Sequence, residues 1–189
     1  MSDNNVKQKV TSTFDEVATR YDKIPFFKHS AANIAELVTL KNDATLLDVA
    51  CGTGNVILHM AALSNNYTCD AIDISEGMLN VAKANAKARN IDTINFHIQD
   101  IESIAMDKKY DLITCSYVLF FLPNPIDTLK KLYSHLAIDG QLLFCSFTDQ
   151  AFEPSSSLLV DLLESYGVER MDKSSEENKL VTFPAKTSK

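Results

Sequence analysis

Short runs of β-branched and other apolar residues alternate along the chain with stretches of helical hydrophobic spacing. The runs predict strands at 44–50, 67–74, 93–98, 110–116 and 140–147. The other stretches predict helices at 56–63, 76–89, 124–136 and 155–166. Strands that alternate with helices are typical of βαβ units, in which the strands are parallel and helices cover both faces of the sheet. The pattern therefore predicts an α/β fold, doubly wound around a mainly parallel sheet.

The segments on either side of this alternating region have different patterns. Residues 1–43 predict one or two helices interrupted at Pro25, and these would form a helical cap before the first strand. Residues 44–147 form the predicted core. Residues 148–189 form a C-terminal segment, in which 180–183 is a poor candidate for a sixth strand. A chain of 189 residues is long enough for one domain with a sizeable core, so we expect a single domain.

Composition and charge narrow the classes of partner. Hydrophobic residues make up 46% of the chain and charged residues 23%, as in ordinary globular proteins. The net charge is −7 and no basic run occurs, which disfavours a nucleic acid, because phosphate contacts need clustered Lys and Arg. The longest apolar run, 117–122, is far shorter than the roughly 20 residues of a membrane helix. Since the polar N-terminus also carries no secretory signal, we expect a cytoplasmic protein that is not inserted in a membrane.

The cysteines give no sign of a metal centre or of a disulfide framework. The four are Cys51, Cys69, Cys115 and Cys145, and none forms a CxxC pair. No other group of His, Cys, Asp or Glu has the spacing of metal ligands. We therefore expect buried free thiols in a reducing compartment, and no metal.

A short glycine-containing loop carries the strongest functional signal. Residues 48–54 leave the first predicted strand, enter a helix, and hold two of the chain's five glycines. Glycine permits a positive φ and lets a ligand approach the backbone, while the first N–H groups of the helix are free to donate. Asp73 ends the second strand, 21 residues after Gly52, where nucleoside-binding α/β folds place an acid that accepts both ribose hydroxyls.

Charge around this loop favours a cationic ligand. Asp48 lies in the loop, and Asp100 ends the third strand at the same edge of the sheet as Asp73. Three carboxylates would repel a pyrophosphate. The third glycine of the dinucleotide fingerprint is replaced by Ile57, which also disfavours a nicotinamide or flavin dinucleotide. Asp73 and Asp100 have an alternative role as N-caps of the elements that follow them, because Asp is a favoured N-cap.

The order and spacing of these motifs resemble the class I S-adenosylmethionine-dependent methyltransferases over residues 14–147. Residues 46–54 are similar to the family's first motif, which cradles the methionine part of the cofactor. Asp73 matches its ribose-binding acid, and Asp100 matches the carboxylate that holds the adenine amino group. The resemblance implies a Rossmann-like fold, S-adenosylmethionine as cofactor and S-adenosylhomocysteine (SAH) as product.

The resemblance also implies which residues contact the cofactor. They are Tyr21, Asp48, Ala50, Cys51, Gly52, Gly54, Asp73, Ile74, Met78, Asp100, Ile101, Cys115 and Ser116. Residues 14–22 resemble an N-terminal helix of small-molecule members such as the ubiquinone and menaquinone C-methyltransferases, in which the tyrosine closes over the cofactor. The chain lacks tryptophan and the continuation of that motif over 23–31, which disfavours a quinone substrate.

Methyl transfer is an in-line displacement in which positioning supplies much of the acceleration. We expect transfer to a small-molecule acceptor. The sequence is compatible with either a monomer or a homodimer. A base is needed only if the acceptor must lose a proton, and Tyr21, Tyr117 and His29 are the candidates. The family's sheet normally ends in two further strands that this sequence does not clearly predict. The alternative is therefore a non-catalytic S-adenosylmethionine-binding protein or a truncated methyltransferase domain.

Overall fold

The computed structural model describes residues 3–64, 66–148 and 150–166, and the chain divides into two compact units, Met1–Ser146 and Phe147–Lys189. The first unit contains a five-stranded sheet. Its strands are β1 (Thr45–Val49), β2 (Thr68–Asp73), β3 (Ile94–Ile98), β4 (Tyr110–Ser116) and β5 (Leu136–Cys145). All neighbouring strands are parallel, in the order β3-β2-β1-β4-β5. The chain runs outward from β1 to β3 and then returns to β4 beside β1, which creates a topological switch point where such sheets bind ligands.

Helices precede, separate and follow the strands. In the first unit they are α1 (Asp3–Tyr21), α2 (Pro25–Glu36), α3 (Asn55–Ala61), α4 (Glu76–Ala88) and α5 (Pro125–Ser134). The second unit contains α6 (Ser155–Ser165). Pro25 and Pro125 each begin a helix, where the fixed φ of proline is helical and its missing N–H is not needed. Ser75 caps α4 by accepting a hydrogen bond from the Met78 amide at 3.0 Å.

The central strands β1, β2 and β4 are buried on both faces of the sheet, because neighbouring residues of a strand face opposite cores. Leu46 of β1 belongs to a core with α2, α3 and α4, represented by Ile34, Met60 and Leu79. The next residue, Leu47, belongs to the opposite core. That second core also contains Ile72, Ile101, Ile113, Cys115 and Leu132. The doubly wound α/β architecture with a helical N-terminal segment is confirmed.

The largest difference from the sequence-based prediction concerns β5. The predicted helix 124–136 ends at Ser134, and the predicted strand 140–147 begins earlier, at Leu136. Asp139 and Gly140 do not precede the strand but lie within it, where the register with β4 shifts. Asp139 has a φ of 62°, and a Cβ on Gly140 would lie 2.7 Å from the carbonyl oxygen of Tyr110, so the irregularity needs a glycine there. Residues 180–183 lie outside the described part of the chain.

Candidate functional site

The carboxyl ends of β1 to β4 border a cleft with an empty volume of about 830 Å³, which we call the main cleft. Its lining comes from residues that follow the four strands: Ala50, Gly52, Asp73, Ile74, Met78, Gln99, Asp100, Ile101, Ser116, Tyr117, Val118, Phe121 and Leu122. Helix α1 adds Lys7, Val10, Phe14 and Tyr21. A smaller side cavity shares Tyr21, Ala50, Gly52, Ser116 and Tyr117 with the main cleft. It extends to Phe27, Ser30, Ala31, Ile34, Asp48, Cys51, Thr53, Asn55 and Val56.

The loop between β1 and α3 exposes its backbone to the main cleft. Ala50, Gly52 and Gly54 all have positive φ, at 52°, 56° and 83°. A Cβ on Gly52 would meet no protein atom within 4 Å, so a ligand can reach the backbone there. Two backbone hydrogen bonds hold the loop, from the Cys51 amide to the Ile72 carbonyl at 3.0 Å and from the Gly54 amide to the Cys51 carbonyl at 2.9 Å.

Asp73 faces this loop from the end of β2. Its Oδ2 accepts a hydrogen bond from the Gly52 amide and its Oδ1 from the Ser75 amide, both at 2.8 Å. The carboxyl group is buried, and burial raises its pKa above the ordinary value. Because each carboxylate oxygen can accept two hydrogen bonds, Asp73 retains acceptor capacity towards the main cleft, which it lines.

Asp100 ends β3 and lines the same cleft. Its Oδ1 accepts from the Glu102 amide at 2.9 Å, which caps the short 3-10 helix Ile101–Ser103. Its Oδ2 accepts from Lys7 Nζ of α1 at 2.6 Å, and Lys7 also pairs with Glu102. The hydrogen bonds that Lys7 donates to these two carboxylates raise its pKa. Asp100 thus caps the short helix that follows it, whereas the N-cap of α4 is Ser75 and not Asp73, whose Oδ1 accepts from the Ser75 amide. Both carboxylates also line the cleft, so these local contacts are compatible with ligand binding.

Asp48 is the most deeply buried acid near the loop, at 2% exposure. Its Oδ1 accepts from Thr114 Oγ1 at 2.7 Å, whereas its Oδ2 has no hydrogen-bond partner in the described part of the structure. Burial raises the pKa of this carboxyl to about 7. Asp48 lines the side cavity behind the loop, where a nearby cation would favour the ionised form of this carboxyl.

Aromatic side chains surround the region where the two cavities meet. Tyr21 stacks on Phe27 with ring centroids 4.8 Å apart, and Phe27 packs edge-on against Tyr117 at 5.5 Å. The hydroxyl groups of Tyr117 and Ser30 are 2.7 Å apart. Burial raises the pKa of Tyr21 to about 12, which makes this phenol a poor base at neutral pH.

Most of the predicted site residues lie around these cavities. The main cleft collects Tyr21, Ala50, Gly52, Asp73, Ile74, Met78, Asp100, Ile101, Ser116 and Tyr117. Asp48 and Cys51 line the side cavity. Gly54, Cys115 and His29 line neither: Gly54 precedes α3 and its Cα packs near Leu58 and Ala82, Cys115 is fully buried in the core, and His29 is exposed on α2.

Sequence reasoning missed the polar residues of α1 and of the segment after it. Lys7 reaches Asp100, and Asp15 accepts hydrogen bonds from Ser75 Oγ at 2.6 Å and the Gly77 amide at 2.8 Å. Asp22 accepts hydrogen bonds from side chains of the glycine loop and of α3 and α4. Residues 14–22 resemble a family motif, but nothing in the sequence indicates which strand ends the acids of this segment contact.

The described residues form neither a metal site nor a membrane-spanning helix. In the ranges 3–64, 66–148 and 150–166, no group of three or more His, Cys, Asp or Glu side chains is arranged to hold a metal ion. No helix in the described part of the chain is long and apolar enough to span a membrane.

Comparison with known proteins assigns the chain to a family. A family model described as a methyltransferase domain matches residues 40–189. Malonyl-[acyl-carrier protein] O-methyltransferase of Bacillus cereus is 28% identical over 152 residues, which is 78% of this chain and 55% of that protein. Carboxy-S-adenosyl-L-methionine synthase of Campylobacter concisus is 31% identical over 164 residues, which is 83% of this chain and 67% of that protein. The chain spans about half the length of the malonyl-[acyl-carrier protein] relative.

Solved structures have the same fold. The structure of the DhpI–SAH complex superimposes with a TM-score of 0.59 and 25% sequence identity. The match covers 75% of this chain and 69% of DhpI. This likeness confirms the Rossmann-like arrangement.

Proposed function

The chain belongs to the methyltransferase-domain family, and from that premise we propose that it transfers a methyl group from S-adenosylmethionine to a small-molecule acceptor. One observation carries the proposal. Gly52, Asp73 and Asp100 lie at or just after the carboxyl ends of the neighbouring strands β1, β2 and β3 and line a single cleft, although they are far apart in the sequence. This is the set of groups that an adenosine with a cationic extension requires, namely an open backbone and two carboxylates at one sheet edge.

The residues present fit this cofactor. Asp100, Asp73 and Gly52 follow β3, β2 and β1 in spatial order, so adenine, ribose and methionine would lie along the edge in that order. Asp73 would accept the ribose hydroxyls and Asp100 the adenine amino group. The open space beside Gly52 admits the chain of the ligand. Asp48 lines the side cavity, and its Oδ2 has no hydrogen-bond partner among the described residues. A cationic methionine end nearby would favour the ionised form of this carboxyl.

The remaining work of the chain is to position the acceptor. The cofactor, when bound, supplies a methyl group activated by a sulfonium. Ser116 and Tyr117 follow β4, at the end of the cleft opposite Asp100, and Tyr21 and Phe27 form an aromatic wall there. This wall excludes water and holds the acceptor near the loop, which is how positioning accelerates a displacement.

The acceptor we propose is an oxygen that arrives ionised, as in a carboxylate. Among the described residues, no histidine lines either cavity, and the phenol of Tyr21 ionises only near pH 12. A carboxylate needs no base, because it is already deprotonated at neutral pH. One relative is named as an O-methyltransferase of a malonyl group, which ends in a carboxylate. The base candidates Tyr117 and His29 stay predictions for an acceptor that must lose a proton.

Two further points belong to the same proposal. The net charge of −7 and the absence of a basic run support a small molecule rather than a nucleic acid as acceptor. All four cysteines are unpaired, three of them buried, which supports a reducing compartment such as the cytoplasm.

A cofactor-binding protein without methyl transfer is the second candidate. It is supported by the relative named carboxy-S-adenosyl-L-methionine synthase, whose name does not describe methyl transfer. Turnover of any acceptor by the purified chain would exclude this candidate.

The first experiment is calorimetric titration with S-adenosylmethionine and SAH. Wild-type protein should bind both, and Asp73→Ala should bind about tenfold more weakly or worse, because hydrogen bonds to a charged group are lost. Asp127→Ala is the matched control, since Asp127 is an exposed acid on α5 that, among the described residues, pairs only with Lys130. Failure of folded wild-type protein to bind either compound would contradict the proposal.

The second experiment tests the acceptor. Wild-type protein is incubated with methyl-labelled cofactor and panels of small carboxylates, phenols, amines and thiols, and methylated products are measured by mass spectrometry. We expect products from carboxylates alone. Turnover confined to amines or thiols would contradict the ionised-oxygen proposal while leaving methyl transfer intact.

A further inference from the structure

We infer that Asp22, just beyond the end of α1, is a positioning residue that fixes the conformation of the glycine loop. The inference rests on the proposed function, because the loop is the part of the proposed cofactor site nearest the methionine end. Asp22 does not line the main cleft or the side cavity. It would therefore act on the cofactor through the loop and not by contact.

The carboxylate of Asp22 is the common acceptor for three side chains. Its Oδ1 accepts from Thr53 Oγ1 at 2.6 Å and from Asn55 Nδ2 at 3.1 Å. Its Oδ2 accepts from Asn85 Nδ2 at 3.0 Å. These donors come from the loop, from the first turn of α3 and from α4, so one side chain joins three segments of the chain.

The same donors also bind one another around Thr53. Asn85 Nδ2 donates to the Thr53 carbonyl at 3.1 Å, and Asn55 Nδ2 contacts Thr53 Oγ1 at 3.0 Å. Thr53 is therefore held at both its hydroxyl group and its carbonyl oxygen. It lies between Gly52 and Gly54, and both of these have positive φ.

A restraint on Thr53 matters because the two neighbouring glycines do not restrict the backbone conformation of the loop. Glycine populates positive and negative φ about equally, so a loop with two of them loses much conformational freedom when it is fixed. The Gly52 amide must point at Asp73, and Gly52 must present an open backbone to the cleft. The hydrogen bond between Asp22 and Thr53 therefore favours the loop conformation in which the Gly52 amide donates to Asp73 and the Gly52 backbone faces the cleft.

A carboxylate suits this position better than an amide. All three partners donate hydrogen bonds to Asp22, and an ionised carboxylate only accepts hydrogen bonds. An asparagine at position 22 would direct an amide NH₂ at one of these donors. Thr53 is 1% exposed and Asn55 8%, so donors that lose Asp22 would find little water as a replacement.

The test combines SAH binding with loop exchange in Asp22→Ala, Asp22→Asn and Thr53→Val proteins. We expect SAH affinity to fall about tenfold or more in Asp22→Ala and Thr53→Val, at a temperature where each variant is fully folded. Amide hydrogen exchange at Gly52 and Gly54, measured without ligand, should accelerate in the same variants. The double variant Asp22→Ala/Thr53→Val should lose less affinity than the sum of the two single losses, because both substitutions remove the same Asp22–Thr53 hydrogen bond.

The outcomes separate this inference from the proposed function. If wild-type protein binds SAH, and Asp22→Ala lowers the melting temperature without changing either SAH affinity or loop exchange, Asp22 is merely structural and the inference is overturned. If wild-type protein does not bind SAH, the proposed function fails, and unchanged exchange at Gly52 and Gly54 in the Asp22 variants would separately overturn the inference. If Asp22→Ala does not fold, Asp22→Asn and Thr53→Val provide the same comparison.

Discussion

Two buried aspartates lie three residues apart on β2, and they have opposite environments. Asp70 is 1% exposed and Asp73 is 9% exposed. Burial raises the pKa of Asp70, but hydrogen bonds from Lys108, Asn95, His97 and Tyr110 outweigh it, so the pKa is lowered overall. Burial dominates at Asp73, and its pKa is raised.

The difference comes from the kind of partner. Asp70 accepts from side chains, including Lys108 Nζ and the Tyr110 hydroxyl group, both at 3.0 Å, so its charge has a cation nearby. Asp73 accepts from the Gly52 and Ser75 amides, which leave its charge without a cation. Asp70, whose charge is compensated, therefore serves the fold, whereas Asp73, which lines the main cleft with its charge uncompensated, is available to a ligand.

The largest loss of stability is expected when Asp70 is replaced. Asp70→Ala should lower the free energy of unfolding by about 3–5 kcal/mol, because Tyr110 and Lys108 lose their shared acceptor. Since the pKa of Asp70 is lowered on folding, its stabilisation is present above the unfolded pKa and is lost as the pH falls through the folded value. Urea unfolding of wild type and variant at neutral and acid pH measures both effects, and a change below 1 kcal/mol would refute the structural role.

For Asp48 we expect the opposite pH dependence of stability, because its pKa is raised on folding. Its folded pKa is about 7, so its contribution to stability is present below the unfolded pKa and is lost as the pH rises towards 7. We expect the free energy of unfolding of wild-type protein to lose on the order of 2 kcal/mol from this group between about pH 5 and pH 7. Asp48→Asn should remove that dependence. Unfolding curves of both proteins across this pH range, with parallel slopes, would contradict the prediction.

Asp73 should affect stability much less than Asp70. Asp73→Ala removes hydrogen bonds from two amides, but it also removes a buried charge without a cation, and the two effects offset each other in part. We expect a change of about 1 kcal/mol in the free energy of unfolding, with the loss concentrated in SAH binding. Equal destabilisation by Asp70→Ala and Asp73→Ala would break the contrast between the two acids.

The smallest effect is expected for Asp127. Its ion pair with Lys130 is exposed, with both side chains 73% accessible, and such pairs contribute little in water. Asp127→Ala should change the free energy of unfolding by less than about 0.5 kcal/mol. Thermal melting at low and high salt checks this, and a larger loss would mean that acids of this chain cannot be ranked by burial and partners.

Much of the fold could be predicted from the chain because its signals are local. Alternating apolar runs placed four of the strands within a few residues of their ends, and the spacing between Gly52 and Asp73 indicated a nucleoside site. The start of β5 could not be predicted, because Asp139 and Gly140 resemble a turn. Only the neighbouring β4, through the carbonyl of Tyr110, makes them an irregularity within the strand.

The site was predictable only where its residues belong to a motif. Asp73 and Asp100 follow strands, and parallel strands bring their carboxyl ends to one edge, so their proximity follows from the pattern. The contacts of Asp22 with Thr53 and Asn85 span 31 and 63 residues and depend on how α1 packs. The hydrophobic periodicity of the sequence does not predict how α1 packs on the other elements.

By itself the sequence determined the α/β class, the glycine loop and the acids at the strand ends, because strand periodicity and glycine conformation act over short distances. Only the tertiary structure decided what each acid does. Asp70, Asp73 and Asp48 are the same residue type within 26 positions, yet one has a lowered pKa and two have raised values. Charge compensation depends on distance in space, and burial depends on the whole fold.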